Sequence, residues 1–283
     1  MTDDVGTSTR LRANTITLLL FLAAVPMCGL TALWLSLRPP PASPHALQVD
    51  RLWNWVSGTL AVALILFHGG LICFIWRSRC DLPTEQSPAS ESREVWWIMV
   101  PLAVLTMVYV FETFSLGPST WKQHEGISPD TNAANQAHQI EVVGKQFEWL
   151  IRLPGRDGKF GTTRPELIHE IRNPLGLDRR DSSARDDMIF RGILRLPQGI
   201  PVQLRLRSLD VQHAMSLPEF RIRRDLIPGR VTRAECIPTR IGDFEMVCSE
   251  LCGPGHYKMQ GRVLVMSSSD FADWFSKQQG WFE

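Results

Sequence analysis

Three long apolar blocks occupy the first 116 residues of this 283-residue chain. Residues 13–37 and 53–76 contain no Asp, Glu, Lys or Arg, and residues 95–116 contain only Glu112. Each block reaches the ~20 residues that a helix needs to cross the hydrocarbon core of a bilayer. The sequence therefore predicts membrane-spanning helices here. The first block also has the features of a secretory signal, because Arg10 and Arg12 precede it.

Basic residues predict the orientation of these helices. Arg77, Arg79 and Arg93 lie between the second and third blocks, and short basic loops face the cytoplasm in membrane proteins. We therefore expect a multi-pass protein of the cell (inner) membrane whose C-terminal domain lies on the outer, periplasmic side. The predicted regions are an N-terminal segment that is a transmembrane helix or a signal (1–38), a transmembrane helical hairpin (39–116) and an exported domain (117–283).

The exported region has a different pattern, with short β-branched or alternating runs separated by Gly and Pro. This pattern predicts an all-β sandwich or barrel. The polar segment 157–187 is interpreted as a loop insertion, and the aromatic spacing in 269–282 predicts a short terminal helix. The predicted strands are 140–143, 147–153, 192–196, 202–206, 231–237, 243–247 and 262–265.

The charge balance argues against one class of partner. The chain has 30 Lys and Arg against 29 Asp and Glu, a formal net charge of +1. Proteins that follow a phosphate backbone carry a strong excess of basic side chains. We therefore expect no nucleic-acid partner.

One cluster of residues indicates chemistry. Cys248, Cys252, His256 and Met259 lie on one short stretch, and His213 precedes them. Thiolates, imidazoles and a thioether are donors that copper prefers, and one Cys with two His and a weak Met is the blue-copper set. Since a second thiolate is present here, the two sulfurs can bridge two copper ions, each bound by one histidine.

Two other interpretations of the pair remain open. A disulfide between Cys248 and Cys252 is compatible with an oxidising compartment, but it gives no role to the histidines or the methionine. A zinc site of two cysteines and two histidines is also compatible with the spacing, although Met259 is not a typical zinc ligand.

The pattern resembles subunit II of the haem-copper oxidases of the cytochrome c oxidase type. Asp210-Val-Gln-His213 matches the family's Asp-x-x-His motif, and the residues from Cys248 to Met259 match its Cys-x-Glu-x-Cys-x3-His-x2-Met motif. The resemblance implies a membrane-anchored all-β protein, with N-terminal transmembrane helices followed by a cupredoxin-like Greek-key β-barrel. It also implies a dinuclear copper centre, CuA, in that domain.

The resemblance further implies roles for individual residues. Glu250 would offer its backbone carbonyl to copper and its carboxylate to a magnesium ion shared with subunit I, and Asp210 would support His213 from behind. The side-chain copper ligands implied in this way are His213, Cys248, Cys252, His256 and Met259.

A helix motif adds one more candidate. Glu94-Val-Trp-Trp97-Ile-Met-Val-Pro101 is similar to the Glu-x-x-Trp-x-x-x-Pro opening of the family's second helix. The resemblance implies that Glu94 lies at the cytoplasmic mouth of a proton path into subunit I. The alternative is that Glu94 is an acid in the first turn of a helix, where the dipole favours it.

The chain departs from the family at one motif. The family usually carries Gln-Trp-x-Trp, whose first Trp accepts the electron from cytochrome c, whereas this chain has Gln146-Phe147-Glu148-Trp149. A Phe ring lacks the indole N–H and is harder to oxidise. Electrons could instead arrive through Trp149 or Trp121, directly at the copper edge, or from a donor other than soluble cytochrome c.

The expected function is that of subunit II in a proton-translocating haem-copper respiratory oxidase. It would take electrons at CuA from cytochrome c or a membrane-bound donor and pass them to subunit I, which reduces oxygen to water, within a complex of further oxidase subunits. The alternatives are the equivalent subunit of a CuA-type nitric oxide reductase and a stand-alone copper-binding redox protein.

Overall fold

The computed structural model describes residues 37–77, 91–115 and 138–282. The predictions that concern residues 13–36, Arg79 and Trp121 fall outside these ranges. The described residues divide into two units. Residues 50–77 and 91–115 belong to the helical unit, and residues 39–49 and 138–282 belong to the β unit.

Two long helices account for the second and third apolar blocks. Helix α1 is Pro44–Arg77 and helix α2 is Glu91–Ser115. Within the described ranges, one stretch, the 30-residue Pro44–Cys73, is long and apolar enough to cross a membrane, while α2 contains a shorter apolar part, Met99–Phe111. The structure thus supports one membrane anchor, and the additional spans stay predictions.

Helix α1 begins before the apolar block, within the β unit. The hydroxyl of Ser43 accepts a hydrogen bond from the backbone N–H of Ala46 at 3.1 Å, which is an N-terminal cap. The backbone N–H of Ala42 donates to the carbonyl of Glu219 at 2.8 Å. The Ser43 hydroxyl also donates to the carbonyl of Phe220 at 3.3 Å. The segment that was predicted to open the hairpin is therefore tied to the β unit.

The β unit contains ten strands in two five-stranded sheets. The first sheet has the order β3-β2-β1-β5-β8 and the second has the order β4-β10-β9-β6-β7. Neighbouring strands are antiparallel except for the β1–β5 and β4–β10 pairs, which are parallel. The strands are β1 (His138–Lys145), β2 (Glu148–Leu153), β3 (Met188–Arg191), β4 (Ile193–Pro197), β5 (Val202–Ser208), β6 (His213–Leu217), β7 (Ile222–Leu226), β8 (Thr232–Cys236), β9 (Gly242–Cys248) and β10 (Gln260–Met266).

The two sheets share one apolar core. In β5, buried and half-buried residues alternate along the whole strand, as expected when one face of a strand packs inward. Both sheets contribute fully buried side chains, among them Trp149, Leu204, Met215 and Val263. All seven predicted strands are present, and the prediction of a mostly-β domain is confirmed.

Closure into a single barrel is not confirmed, because the strands form two separate ladders. The margins of the sheets do approach each other. At one margin the N–H of Gly192 donates to the carbonyl of Trp149, and the N–H of Arg262 donates to the carbonyl of Gly192, both at 2.8 Å. At the other margin Ser208 and Pro228 form an isolated parallel bridge.

Segment 157–187 is ordered by its own small core. It contains a 3-10 turn (Pro165–Leu167) and a one-turn helix α3 (Ser182–Arg185). Its buried side chains pack on the outer face of the first sheet. The members of this second cluster are Leu175, Leu177 and Ala184 from the segment and Val143, Leu150 and Ile189 from the sheet.

A buried ionic network ties the same segment to the sheet. Arg152 donates from Nη1 to Glu141 Oε2 at 3.2 Å and from Nε to Asp187 Oδ2 at 3.1 Å. Asp187 also accepts a hydrogen bond from the N–H of Gly161 at 3.0 Å, and Arg207 Nε lies 3.2 Å from Glu141 Oε1. Burial raises the pKa of the Asp187 carboxyl, although the hydrogen bonds from Arg152 act in the opposite direction.

The terminal helix α4 is shorter than predicted. It spans Ser268–Ser276, and the Ser267 hydroxyl caps it by accepting a hydrogen bond from the N–H of Asp270. Phe271 packs into the shared core. Phe271, Trp274 and Phe275 lie within the helix, whereas residues 277–282 are not helical.

Candidate metal centre

Strand pairing brings the predicted ligands together. Cys248 ends β9, His213 begins β6, and these strands pair antiparallel with Met215 opposite Cys248. The N–H of Cys248 donates to the carbonyl of Met259 at 3.1 Å, which closes the loop between β9 and β10. The loop of residues 249–259 therefore brings Met259 back beside Cys248.

Each thiol faces one imidazole. The Sγ atom of Cys248 lies 3.9 Å from Nδ1 of His213, and the Sγ atom of Cys252 lies 3.6 Å from Nδ1 of His256. The two sulfurs are 4.0 Å apart. Both cysteines are free thiols, so the disulfide interpretation does not describe this structure.

Two further donors lie beside the thiols, one near each sulfur. Met259 Sδ lies 3.8 Å from Cys252 Sγ, and the carbonyl oxygen of Glu250 lies 3.2 Å from Cys248 Sγ. Metal–nitrogen and metal–sulfur bonds in such sites are about 2.0–2.3 Å long, so donors at these separations can share a metal. Two thiols that each face one imidazole, with a thioether near one sulfur and a carbonyl near the other, fit two copper ions better than one zinc ion.

The site is buried at one side and open at the other. His213 and Met259 are almost fully buried, and Cys248 and Cys252 are also buried, whereas His256 is half-buried. Burial, and next the neighbouring Cys248, raise the pKa of the Cys252 thiol to about 11. Metal binding at this sulfur must therefore displace a proton at neutral pH.

Asp210 lies behind His213, as the resemblance implied. One of its carboxylate oxygens, Oδ1, is 2.8 Å from Nε2 of His213. Burial opposes ionisation of Asp210, but hydrogen bonds from the Gln146 N–H, from His213 and from the Val211 N–H outweigh it and lower its pKa. A charged carboxylate at this place fixes the ring of His213.

Phe147 covers part of the loop of residues 249–259, here called the copper loop. Phe147 is 36% exposed, and its ring lies over Gly253 and Gly255, where an added Cβ atom would be 3.1 Å and 2.4 Å from the ring. Gly253 has a φ angle of +136°, a conformation that glycine tolerates and other residues avoid. These glycines allow the loop and the aromatic ring to approach each other closely.

Trp149 is not at the surface. Its ring is fully buried and packs edge-to-face on His213 with centroids 6.2 Å apart. A donor protein cannot contact it, so the interpretation of Trp149 as the point of first contact does not hold. Any role of this ring in electron transfer would be internal.

The remaining predicted residues are only partly placed. The carboxylate of Glu250 is half-exposed, and its Oε2 accepts a hydrogen bond from Nη2 of Arg223 at 3.2 Å. Glu94 lies in the first turn of α2 (Glu91–Ser115), and the structure describes only its backbone.

Sequence reasoning missed two neighbours of the loop. Gln146 donates from its side-chain amide to the carbonyl of Cys252 at 2.6 Å, and Arg223 also donates from Nε to the hydroxyl of Ser249 at 3.0 Å. The partners lie 106 and 26 residues further along the chain. No local pattern signals such contacts.

Comparison with known proteins identifies the family to which this chain is similar. A family model described as cytochrome c oxidase subunit II, periplasmic domain, matches residues 185–266. The alternative cytochrome c oxidase subunit 2 of Bradyrhizobium diazoefficiens is 36% identical over 226 residues, which cover 80% of this chain and 77% of that protein. Cytochrome c oxidase subunit 2 of Thermostichus vulcanus is 30% identical, over 86% of this chain and 79% of that protein.

Among solved structures, the periplasmic domain of subunit II of cytochrome oxidase from Bradyrhizobium japonicum is similar over 53% of this chain and 95% of that domain. Its sequence identity is 26% and its TM-score is 0.37. The length and identity of the match to the Bradyrhizobium diazoefficiens protein decide the assignment. This chain belongs to the cytochrome c oxidase subunit 2 family, and its mostly-β domain is the cupredoxin-like periplasmic domain of that family.

Proposed function

We propose that this oxidase subunit accepts electrons at a dinuclear copper site and passes them to a catalytic subunit that reduces oxygen to water. The observation that carries the proposal is the pairing of each thiol with its own imidazole, Cys248 with His213 and Cys252 with His256. When bound, the copper pair supplies a centre that takes up and releases one electron. The protein supplies the two sulfurs, the two ring nitrogens, Met259 and the Glu250 carbonyl.

The residues around the donors keep the site rigid. Asp210 fixes the His213 ring, and the backbone bond from Cys248 to Met259 holds the two ends of the loop together. A site whose donors are held in place changes little in geometry when its charge changes. Low reorganisation of this kind favours fast electron transfer.

The electron donor is proposed to dock beside the copper loop. Leu251 and Tyr257 are 80% and 70% exposed and lie next to ligands, so together with Phe147 they offer apolar contact. Glu148 is paired with Arg191 at 2.5 Å and with Lys145 at 4.0 Å. Because its charge is compensated, Glu148 attracts a basic cytochrome c weakly. We therefore propose a membrane-bound donor as an equal alternative to soluble cytochrome c.

The membrane topology is proposed to be multi-pass. Helix α1 starts within the β unit, so its N-terminal end lies on the side of the membrane where that domain is, and the apolar stretch then runs inward. Alkaline phosphatase, which is active only after export, should be inactive when fused after residue 84 and active when fused after residue 283. Activity at residue 84 would contradict this topology.

Two finer roles belong to the same proposal. The Glu250 atom Oε1 is the oxygen that Arg223 does not take, and it could bind magnesium at the boundary with subunit I. Glu94, at the start of α2, would open a proton path into that subunit. We also treat the two sheets as a Greek-key barrel, because Gly192 and the Ser208–Pro228 bridge join their margins.

Purification of the native complex tests the proposed function. We expect oxygen consumption driven by a reduced c-type cytochrome, with haem-containing subunits co-purifying, and loss of this activity in Cys252→Ser. Turnover of nitric oxide without oxygen consumption would indicate the reductase alternative. A chain that binds copper but purifies without other subunits would indicate a stand-alone redox protein.

A further inference from the structure

Gln146 forms hydrogen bonds to two residues of the proposed copper site, Cys252 and Asp210. It lies in the turn between β1 and β2, immediately before Phe147. Its side-chain Nε2 donates to the carbonyl of Cys252 at 2.6 Å, and its backbone N–H donates to Asp210 Oδ2 at 2.7 Å. Since Asp210 holds His213 through its other oxygen, one residue reaches Cys252 directly and His213 through Asp210.

The approach of Gln146 to the loop is close. A Cβ atom on Gly253 would lie 2.9 Å from Nε2 of Gln146 and 3.1 Å from the Phe147 ring. A side chain at position 253 would therefore push the amide away from Cys252. Glycine at position 253 leaves room for the amide and permits the local φ of +136°, so the shapes of both segments favour the hydrogen bond.

Resting on the proposed electron-accepting function, we propose that Gln146 is a positioning residue of the copper loop. Its amide fixes the backbone at Cys252, and its N–H fixes Asp210 and through it His213. The same residue adjoins Phe147, which is at the surface where the donor is proposed to dock. Gln146 thus links the docking surface to one ligand of each thiol–imidazole pair by hydrogen bonds.

The two bonds can be separated by mutation. The bond to Asp210 comes from the backbone and survives substitution, whereas the bond to Cys252 comes from the amide. Gln146→Leu removes only the second bond. Gln146→Glu keeps the shape but places a carboxylate against a carbonyl, which is repulsive. We therefore expect the glutamate variant to disturb the site more than the leucine variant does.

The electrostatic effect has a definite sign. The N–H dipole of the amide points its positive end at Cys252, and positive potential near a redox site stabilises its reduced form. Removal of the dipole should lower the reduction potential of the copper centre. Because the loop loses an anchor, the Cys252 thiol of the metal-free chain should also react faster, by roughly two- to twelvefold, the factor for one neutral hydrogen bond.

The experiment uses the full-length chain in detergent and the intact oxidase. The potential is titrated through the absorption of the copper centre, its hyperfine pattern is recorded by electron paramagnetic resonance, and alkylation of Cys252 by iodoacetamide is followed by peptide mass spectrometry after metal removal. Gln203→Leu is the matched control, because Gln203 donates its amide to Glu235 at 3.2 Å on strands away from the loop. We expect a lower potential, an altered hyperfine pattern and faster alkylation for Gln146→Leu, and none of these three changes for Gln203→Leu.

The outcomes separate this inference from the proposed function. If Gln146→Leu has the potential, the spectrum and the alkylation rate of the parent chain, the positioning role is wrong, while the copper site stands. If the parent chain itself binds no copper pair, the proposed function fails. Should the leucine variant not assemble, Gln146→Met, which keeps the straight chain and lacks the donor, decides the question by the same three measurements.

Discussion

Asp210 and His213 form a hydrogen bond of 2.8 Å between Oδ1 and Nε2, so the Nδ1 atom of the ring faces Cys248. A carboxylate that accepts from one ring nitrogen keeps the proton on that nitrogen and leaves a lone pair on the other. The resemblance to the family motif Asp-x-x-His implied this pair. The structure adds that Gln146 holds the second carboxylate oxygen.

Asp210→Ala should weaken copper binding without removing any ligand. Loss of such a carboxylate typically costs ~10–100-fold in metal affinity. Competition with a copper chelator, followed spectroscopically, measures the change. Asp243→Ala is the control, since Asp243 pairs with Arg262 on the surface, and equal affinities for the two variants would reduce Asp210 to a turn carboxylate.

Replacement of either cysteine should destroy the proposed two-copper centre, in which both sulfurs would bind both metals. We expect the full-length chain to bind two coppers, with one unpaired electron distributed over both nuclei, and Cys248→Ser and Cys252→Ser to lose that signature. Met259→Leu should keep copper and shift its potential, because a thioether is a weak axial ligand. A single-copper spectrum in the parent chain, or a normal purple centre in Cys252→Ser, would contradict the bridging geometry.

Substitutions of Phe147 test where electrons arrive. Phe147→Trp should leave the copper centre intact and raise, or at least not lower, the rate of reduction by soluble cytochrome c. Phe147→Ala should cost little beyond the lost packing over Gly253 and Gly255 and its share of the apolar contact with the donor, because this ring has no redox role. Stopped-flow reduction by a basic cytochrome c at several ionic strengths measures both, and fast, steeply salt-dependent reduction that collapses in Phe147→Ala would show the opposite.

Arg152 should matter for stability rather than for electron transfer. Arg152→Met leaves Glu141 and Asp187 buried without their shared cation, and breaking a buried pair costs about 3–5 kcal/mol. Urea unfolding measures the loss, with Arg262→Met as the control. Arg262→Met, which loses only an exposed pair, should change the free energy of unfolding by less than about 1 kcal/mol.

Asp181 should contribute to the acid limb of stability. Hydrogen bonds from the Thr162 side chain, the Thr162 N–H and the Ser183 N–H lower its pKa from the ordinary value of 3.8. Because the folded pKa lies below the unfolded one, the stabilisation is present above about pH 3.8 and is lost as the pH falls through the folded pKa. Asp181→Asn still caps α3 but cannot titrate, so its unfolding midpoint should fall less steeply between pH 5 and 2. Parallel curves would rule out this role.

The proposed copper donors could be named from the sequence because four of them, Cys248, Cys252, His256 and Met259, lie on one short stretch that matches a family motif. The strands β3, β6 and β7 were not predicted. Strand β6 (His213–Leu217) is buried at four of five positions and lacks alternation, and β7 (Ile222–Leu226) carries three charged residues in a row. In both strands tertiary packing overrides local propensity.

The contacts that shape the site were beyond sequence reasoning for a different reason. Gln146 meets Cys252 across 106 residues, and the small core under segment 157–187 joins Leu175 and Leu177 to Val143. A few apolar residues in a charged segment show no period, so that segment was predicted to be a loop. Such pairings follow from strand order, which the sequence does not display.

The hydrogen bond between Ser43 and Phe220 joins residues 177 positions apart in the sequence, so the two residues are synthesised at different times. Ribosomes add about 5–20 residues per second, so Ser43 waits roughly 10–35 s for its partner to be synthesised. Throughout this interval the start of α1 has no β unit to bind. The earliest-made part of the unit is thus among the last to reach its final contacts, and a chain truncated before Phe220 would leave this end undocked.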